Sequence, residues 1–264
     1  MLFQSIIYGP IKSRRLGTSL GVELMPLEHK LCTFNCVYCE CGWNEPVSHP
    51  VLPTREEVRA ALEKSLSTLN SPTSPNSQLS AFNSIDVITF SGNGEPTLHP
   101  DFLGIIQDTC ALRDTYCPGA KVSVLSNSTQ LGRPDVVQAL RLCDNRILKL
   151  DAATDEMMRL IDLPGNKRLT VAQIMEWLAQ FDGDFTLQTC FLRGEHDGQI
   201  LDNTRDKELT AWYQAVEILH PKQIMMYVID RKTPEENLQK IPRAEMERIA
   251  APLIEKGFDI IISA

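Results

Sequence analysis

A chain of 264 residues, 43% hydrophobic and 23% charged, is long enough to bury one substantial α/β core, and its composition excludes a disordered or fibrous protein. With no apolar run of about 18 residues, and with an N-terminal MLFQSIIYGP that lacks a basic n-region and a small-residue cleavage site, it reads as the mature sequence of a cytoplasmic protein that meets no membrane. A net charge of −8 argues against a dedicated nucleic-acid binder, which carries a basic surplus, but leaves room for a local basic patch.

Residues 1–21 hold Lys12, Arg14 and Arg15 and no acidic residue. Glycine-bearing turns at Gly9-Pro10 and Gly17 bracket the arginines and lead into a first strand, Ser19–Leu24. That placement puts two guanidinium groups near a barrel mouth, where their fork geometry suits a phosphate or carboxylate of a substrate. A solvated turn is the plainer reading of the same charges.

After a cysteine-rich loop, Thr54–Leu69 has helical spacing and opens with Thr54 and Glu57 as a capping box. Asn70–Ser84, rich in Ser, Asn and Pro, predicts a long surface loop. Strands then follow at Ile85–Phe90, Lys121–Leu125, Arg146–Leu150, Phe185–Cys190 and Gln223–Ile229. Between them lie helices at Asp101–Arg113, Pro134–Cys143, Thr170–Phe181 and Asn203–His220. Pro242–Lys256 predicts a last helix and Phe258–Ile262 a short last strand. Such alternation predicts parallel strands with crossover helices, and six units fit one barrel-like sheet spanning 1–264 better than two domains.

Eight cysteines are many for this length, and clustered thiols without an export signal point to metal before disulfides. Cys32, Cys36 and Cys39 are spaced CxxxCxxC just past the first strand. Thiolates suit iron–sulfur clusters or zinc. Three ligands leave one iron of a cubane open, whereas structural zinc or an electron-transfer cluster takes four. Cys41 lacks the distant second pair that a zinc knuckle needs, and Cys110, Cys117, Cys143 and Cys190 read as structural. The five histidines show no ligand spacing and read as surface or capping residues.

The cysteine triad with Tyr38 immediately before its last member resembles the radical S-adenosylmethionine (SAM) superfamily. Ser91, Gly92, Asn93, Gly94, Glu95 and Pro96, following the second strand, resemble that superfamily's GGEP element. The stretch Gly9–Gly21 and the later Tyr227–Glu236 narrow the likeness to iron–sulfur oxidoreductases related to wybutosine synthesis on transfer RNA.

The resemblance implies a partial (β/α)6 TIM-like barrel with one [4Fe–4S] cluster on Cys32, Cys36 and Cys39. It implies SAM held at that cluster, its amino group received by Gly92–Glu95, and cleavage to a 5′-deoxyadenosyl radical that abstracts hydrogen from a substrate. An external flavodoxin or ferredoxin would supply the electron. Ligands in such barrels sit at the carboxyl ends of strands, where the sequence offers Ser126 and Asn127, Lys149 and Asp151, Gln188, and finally Asp230 and Arg231. By position Lys149 and Asp151 resemble SAM ribose and carboxylate contacts, and a mere ion pair is the competing reading. Tyr38 is expected near the adenine, and Arg193 within reach of adenine or substrate. The substrate is unknown, with an RNA base as one class. A radical SAM activase or peptide modifier, and a non-catalytic zinc or electron-transfer protein, are the alternatives.

Overall fold

Val, Ile, Leu and Met dominate the middle strands. In the computed structural model these runs are buried on both faces, as parallel strands covered by helices must be. The structure describes residues 2–13, 16–69 and 85–264; the predicted loop at 70–84, and Arg14 and Arg15, lie outside them.

Strand β1 (Ile7–Ser13) pairs antiparallel with β2 (Gly17–Val22). From β2 the sheet runs parallel through β3 (Val87–Phe90), β4 (Lys121–Ser126), β5 (Asn145–Lys149) and β6 (Thr186–His196). A short β7 (Gln199–Asp202) pairs antiparallel with the outer half of β6. The parallel row continues through β8 (Gln223–Val228) to β10 (Ile260–Ser263), while β9 (Gln239–Lys240) also joins β6. The row ends at β1 and β10 without closing, so the sheet is the open barrel expected.

Helices α1 (Arg55–Leu69), α2 (Phe102–Tyr116), α3 (Pro134–Leu142), α4 (Asp155–Ile161), α5 (Val171–Ala179), α6 (Asp206–Leu219) and α7 (Arg243–Glu255) fill the crossovers. On α1 the buried residues are Val58, Leu62 and Leu66, one face of a 3.6-residue period. Its capping box is formed: Thr54 Oγ1 accepts from Glu57 N at 3.2 Å and Glu57 Oε2 from Thr54 N at 2.7 Å.

Three departures from the sequence reading bear on the site. The first is β1, where Gly9-Pro10 reads as a turn; proline is tolerated because this is an edge strand. The second is α4, whose seven residues are too few to show a period. It starts at the Thr154 cap and ends by presenting Asp162. The third is β6, whose eleven residues run past the sheet to pair with β7 and β9.

Candidate functional site

The thiols lie beyond the carboxyl end of β2, on a loop stitched from several sides. Leu31 N donates to Asn93 O at 3.0 Å and Glu95 N to Leu31 O at 3.1 Å, joining it to the glycine loop after β3. Asn35 N and Val37 N donate to Asp162 O and Ile161 O, both at 2.9 Å, joining it to the end of α4. Glu235 N donates to Val37 O at 3.2 Å. Phe34 and Val37, interleaved with the cysteines, are buried in the core. Apolar anchoring of alternate residues thus fixes where the sulfurs stand.

Two positions of the glycine loop admit only glycine. A Cβ on Gly94 would stand 1.7 Å from Leu31 O, where the cysteine loop crosses. Gly92 has φ +143°, and a Cβ there would meet Glu23 Oε2 at 2.0 Å. Asn93 is wholly buried and ties the N-terminal residues down: its amide meets Phe3 N, Phe3 O and Pro26 O at 2.7–2.9 Å. Glu23 accepts from Asn93 N at 2.6 Å and Met25 N at 2.8 Å. Burial nonetheless pushes its carboxyl up to about 7.

Glu95 is buried and its carboxylate accepts four hydrogen bonds, three on Oε1 and one on Oε2. It accepts from Thr97 N (3.1 Å), Thr97 Oγ1 (2.5 Å), Ser126 Oγ (2.9 Å) and Asn127 N (2.6 Å). Asn127 reaches on to Cys32, its Nδ2 donating to the sulfur at 3.3 Å. The sequence-predicted Cys32, Glu95, Ser126 and Asn127 therefore form one connected wall.

A second wall gathers Cys36, Tyr38, Lys149 and Asp151, and adds Asp162. Lys149 Nζ stands 2.9 Å from Asp151 Oδ2, 2.9 Å from Asp162 Oδ1 and 3.0 Å from Cys36 Sγ. Tyr38 donates its hydroxyl to Asp151 and lies 3.2 Å from the Tyr227 hydroxyl. Burial alone would lower the lysine's affinity for its proton; Asp151 and Asp162 more than reverse this and hold it charged. Burial raises Asp162 to about 6 against that lysine's pull. Gln188 points at Met225, Nε2 to Sδ 3.4 Å. Asp162 had no signal in the sequence, since it sits 126 residues from the thiol it faces.

Other candidates fall elsewhere. Lys12 pairs with Thr18 near the start of β2, at the opposite end of the sheet from the thiols. Lys12 is therefore not at the barrel mouth as expected, while Arg14 and Arg15 lie outside the described residues. Arg193 is held by Glu245 and Thr204, Arg231 by Glu40 and Asp230 by Lys240, all on the chain's own partners. His99 caps Asp101 N and His220 ends α6 with φ 44°.

Whether these thiols suit an iron–sulfur cluster is decided by the donor set. Cys32, Cys36 and Cys39 feel one another's charge. Burial holds Cys32 up at about 11 and raises Cys36. A cubane takes each thiolate on a separate iron and spaces them wider than a zinc ion with Zn–S of about 2.3 Å does. Three soft thiols on one anchored loop, beside strand-end polar groups, fit a cluster. A cavity of about 710 Å³ lies at the other end of the sheet, lined in part by Asp86, Lys121, Asp144, Lys222 and Asp259, far from the sulfurs.

An open parallel α/β barrel with a three-thiol loop past its first parallel strand defines a class of cofactor-dependent enzyme folds. The radical SAM superfamily profile matches residues 29–206, and the chain belongs to that superfamily; its members typically bind a [4Fe–4S] cluster and SAM and are generally enzymes. A UPF0026 protein of Helicobacter pylori is 33% identical over 197 residues, covering 73% of this chain and 58% of that protein, so the chain spans under two thirds of that relative. A structure of TYW1 with a lysine–pyruvate adduct bound matches with TM-score 0.61 and 17% identity, over 91% of this chain and 74% of that one. SuiB of Streptococcus suis bound to its precursor peptide SuiA matches with TM-score 0.63 and 11% identity, over 92% and 48%. At such identities these two establish the fold alone. Among the described residues no helix is long and apolar enough to cross a membrane.

Proposed function

We propose that this chain holds a [4Fe–4S] cluster on Cys32, Cys36 and Cys39, cleaves SAM reductively, and uses the 5′-deoxyadenosyl radical to abstract hydrogen from its substrate. The observation that supports this is the junction of the thiol loop with Gly92–Glu95 through Leu31, which joins the loop bearing the three cysteines to a glycine turn whose carbonyls can receive an ammonium. The cluster supplies the electron and the open iron; the chain binds, orients and excludes water. Ser126, Asn127, Lys149, Asp151 and Gln188 would line the SAM site, with Tyr38 packing near the adenine. Lys149 acts as a positioning residue, because Asp151, Asp162 and Cys36 take its three hydrogens, while Glu95, whose Oε2 accepts only from Asn127 N, keeps an acceptor for the SAM ammonium. A flavodoxin or ferredoxin donates the electron.

The substrate we infer is an RNA base. Trp43 follows the thiol loop closely and faces His196, ring centroids 5.7 Å apart, a surface on which an unstacked base can lie. A peptide is the competing substrate, as SuiB has one bound.

Anaerobically reconstituted protein should carry about four irons and four sulfides and, with dithionite, release 5′-deoxyadenosine from SAM. Zinc uptake with no SAM cleavage would overturn the reading. Stimulation of 5′-deoxyadenosine release by RNA, weakened steeply by salt, supports the base; stimulation by peptides alone replaces it.

A further inference from the structure

Each of two cysteine sulfurs has a nitrogen donor of the chain aimed at it, and both donors are locked. Asn127 is locked through its oxygen: Oδ1 accepts from Thr129 N at 3.0 Å and Thr129 Oγ1 at 2.7 Å. A backbone N–H can only donate, so the amide oxygen must face Thr129 and the NH2 must face away. One of its hydrogens goes to Thr33 Oγ1 at 2.8 Å and the other to Cys32 Sγ at 3.3 Å. The backbone of the same residue is fastened to Glu95.

Lys149 is locked by count. An ammonium has three hydrogens, and three acceptors surround it: Asp151, Asp162 and the Cys36 sulfur. Asp151 is itself fixed by Cys190 N at 2.7 Å and by Tyr38. The rings of Phe34 and Tyr38 stand 5.3 and 5.0 Å from Nζ, which leaves little room for water to compete for the third hydrogen. At the remaining thiol the neighbour is Cys41, whose S–H is a weak donor and is directed at Gly92 O, 3.1 Å away.

Reduction adds an electron that the cluster shares with its sulfurs. A hydrogen bond to a ligand sulfur stabilises the electron-rich state more than the oxidised one, and so raises the potential. A buried cation at the sulfur acts in the same direction, its effect reduced by Asp151 and by Asp162, whose Oδ1 stands 3.4 Å from the same sulfur. We propose that Asn127 and Lys149 are potential-setting residues, each donating one N–H···S hydrogen bond to a different cluster thiolate, Cys32 and Cys36. This inference rests on the assignment of those thiols as cluster ligands.

The test is an EPR-monitored redox titration of the reconstituted full chain without SAM. Asn127→Leu should raise the oxidised-to-reduced ratio at a fixed potential about tenfold, which for one electron is a midpoint about 59 mV lower. Lys149→Met should lower it further, having lost donor and charge together, and Lys149→Arg should recover part of that loss. Cys41→Ala should leave the midpoint in place. Full cluster content with wild-type midpoints in both Asn127→Leu and Lys149→Met overturns the proposal. Should those variants lose the cluster, the wild type decides by resonance Raman after assembly in D2O and in H2O. Shifted Fe–Sγ stretching bands support the hydrogen bonds, and coincident bands overturn them. A wild-type chain that assembles no cluster removes the ligand assignment and this inference with it, a result distinct from unchanged midpoints.

Discussion

The two ends of the parallel sheet carry similar residue types in opposite physical states. At the carboxyl end Glu23, Glu95 and Asp162 are buried, and burial pushes each carboxyl up. At the amino end Asp184 is held below the usual carboxylate range by Lys222 and Arg146. Asp144 is also lowered there, burial being outweighed by Val122 N–H and Arg113. That end has a cavity yet keeps the charges of Asp144 and Asp184 partly in water; the other removes them from water and surrounds the thiols with hydrogen-bonded groups. Charged groups that are desolvated and locked are costly to keep, and their concentration on one end marks where chemistry is expected.

The largest effect should come at the thiols. Alanine at Cys32, Cys36 or Cys39 should abolish iron and sulfide retention, whereas Cys41→Ala should preserve it; a requirement for Cys41 in place of one of the three would reassign the ligands. Next, Lys149→Met strands two carboxylates in the interior and should cost the apoprotein about 3 kcal/mol or more in urea unfolding. Lys222→Ala breaks a half-exposed pair at the other end and should cost under about 1 kcal/mol. Equal costs would erase the contrast.

Backbone packing gives a third comparison. Gly94→Ala drives a Cβ into Leu31 O and should cost about 3 kcal/mol, with loosened cluster binding by iron assay. Gly119→Ala, with nothing within 4 Å, should be neutral within about 0.5 kcal/mol. A last comparison concerns pH. Glu23 titrates higher in the folded chain, near 7 against an ordinary 4.5. Its contribution to stability is therefore present below about pH 4.5 and lost as pH rises through about 7. Apoprotein unfolding free energy should fall by about 3 kcal/mol over that window, and Glu23→Gln should flatten the slope. Asp184, with its lowered value, has the opposite sign and loses its contribution as pH falls.

The sequence by itself determined the alternation of strands and helices, the thiol spacing and the glycine loop. These are local signals: β3 and β8 are continuous apolar runs, and the α1 cap is completed within four residues. Tertiary structure alone decided that Asp162 joins Lys149, that Asn127 N reaches Glu95, that Lys149 has no donor to spare, and that Lys12 sits opposite the thiols. Each of those depends on pairing across the sheet or on contacts between residues far apart in the chain. A hydrogen bond's partner is chosen by which strands lie side by side, and no spacing along one strand carries that information.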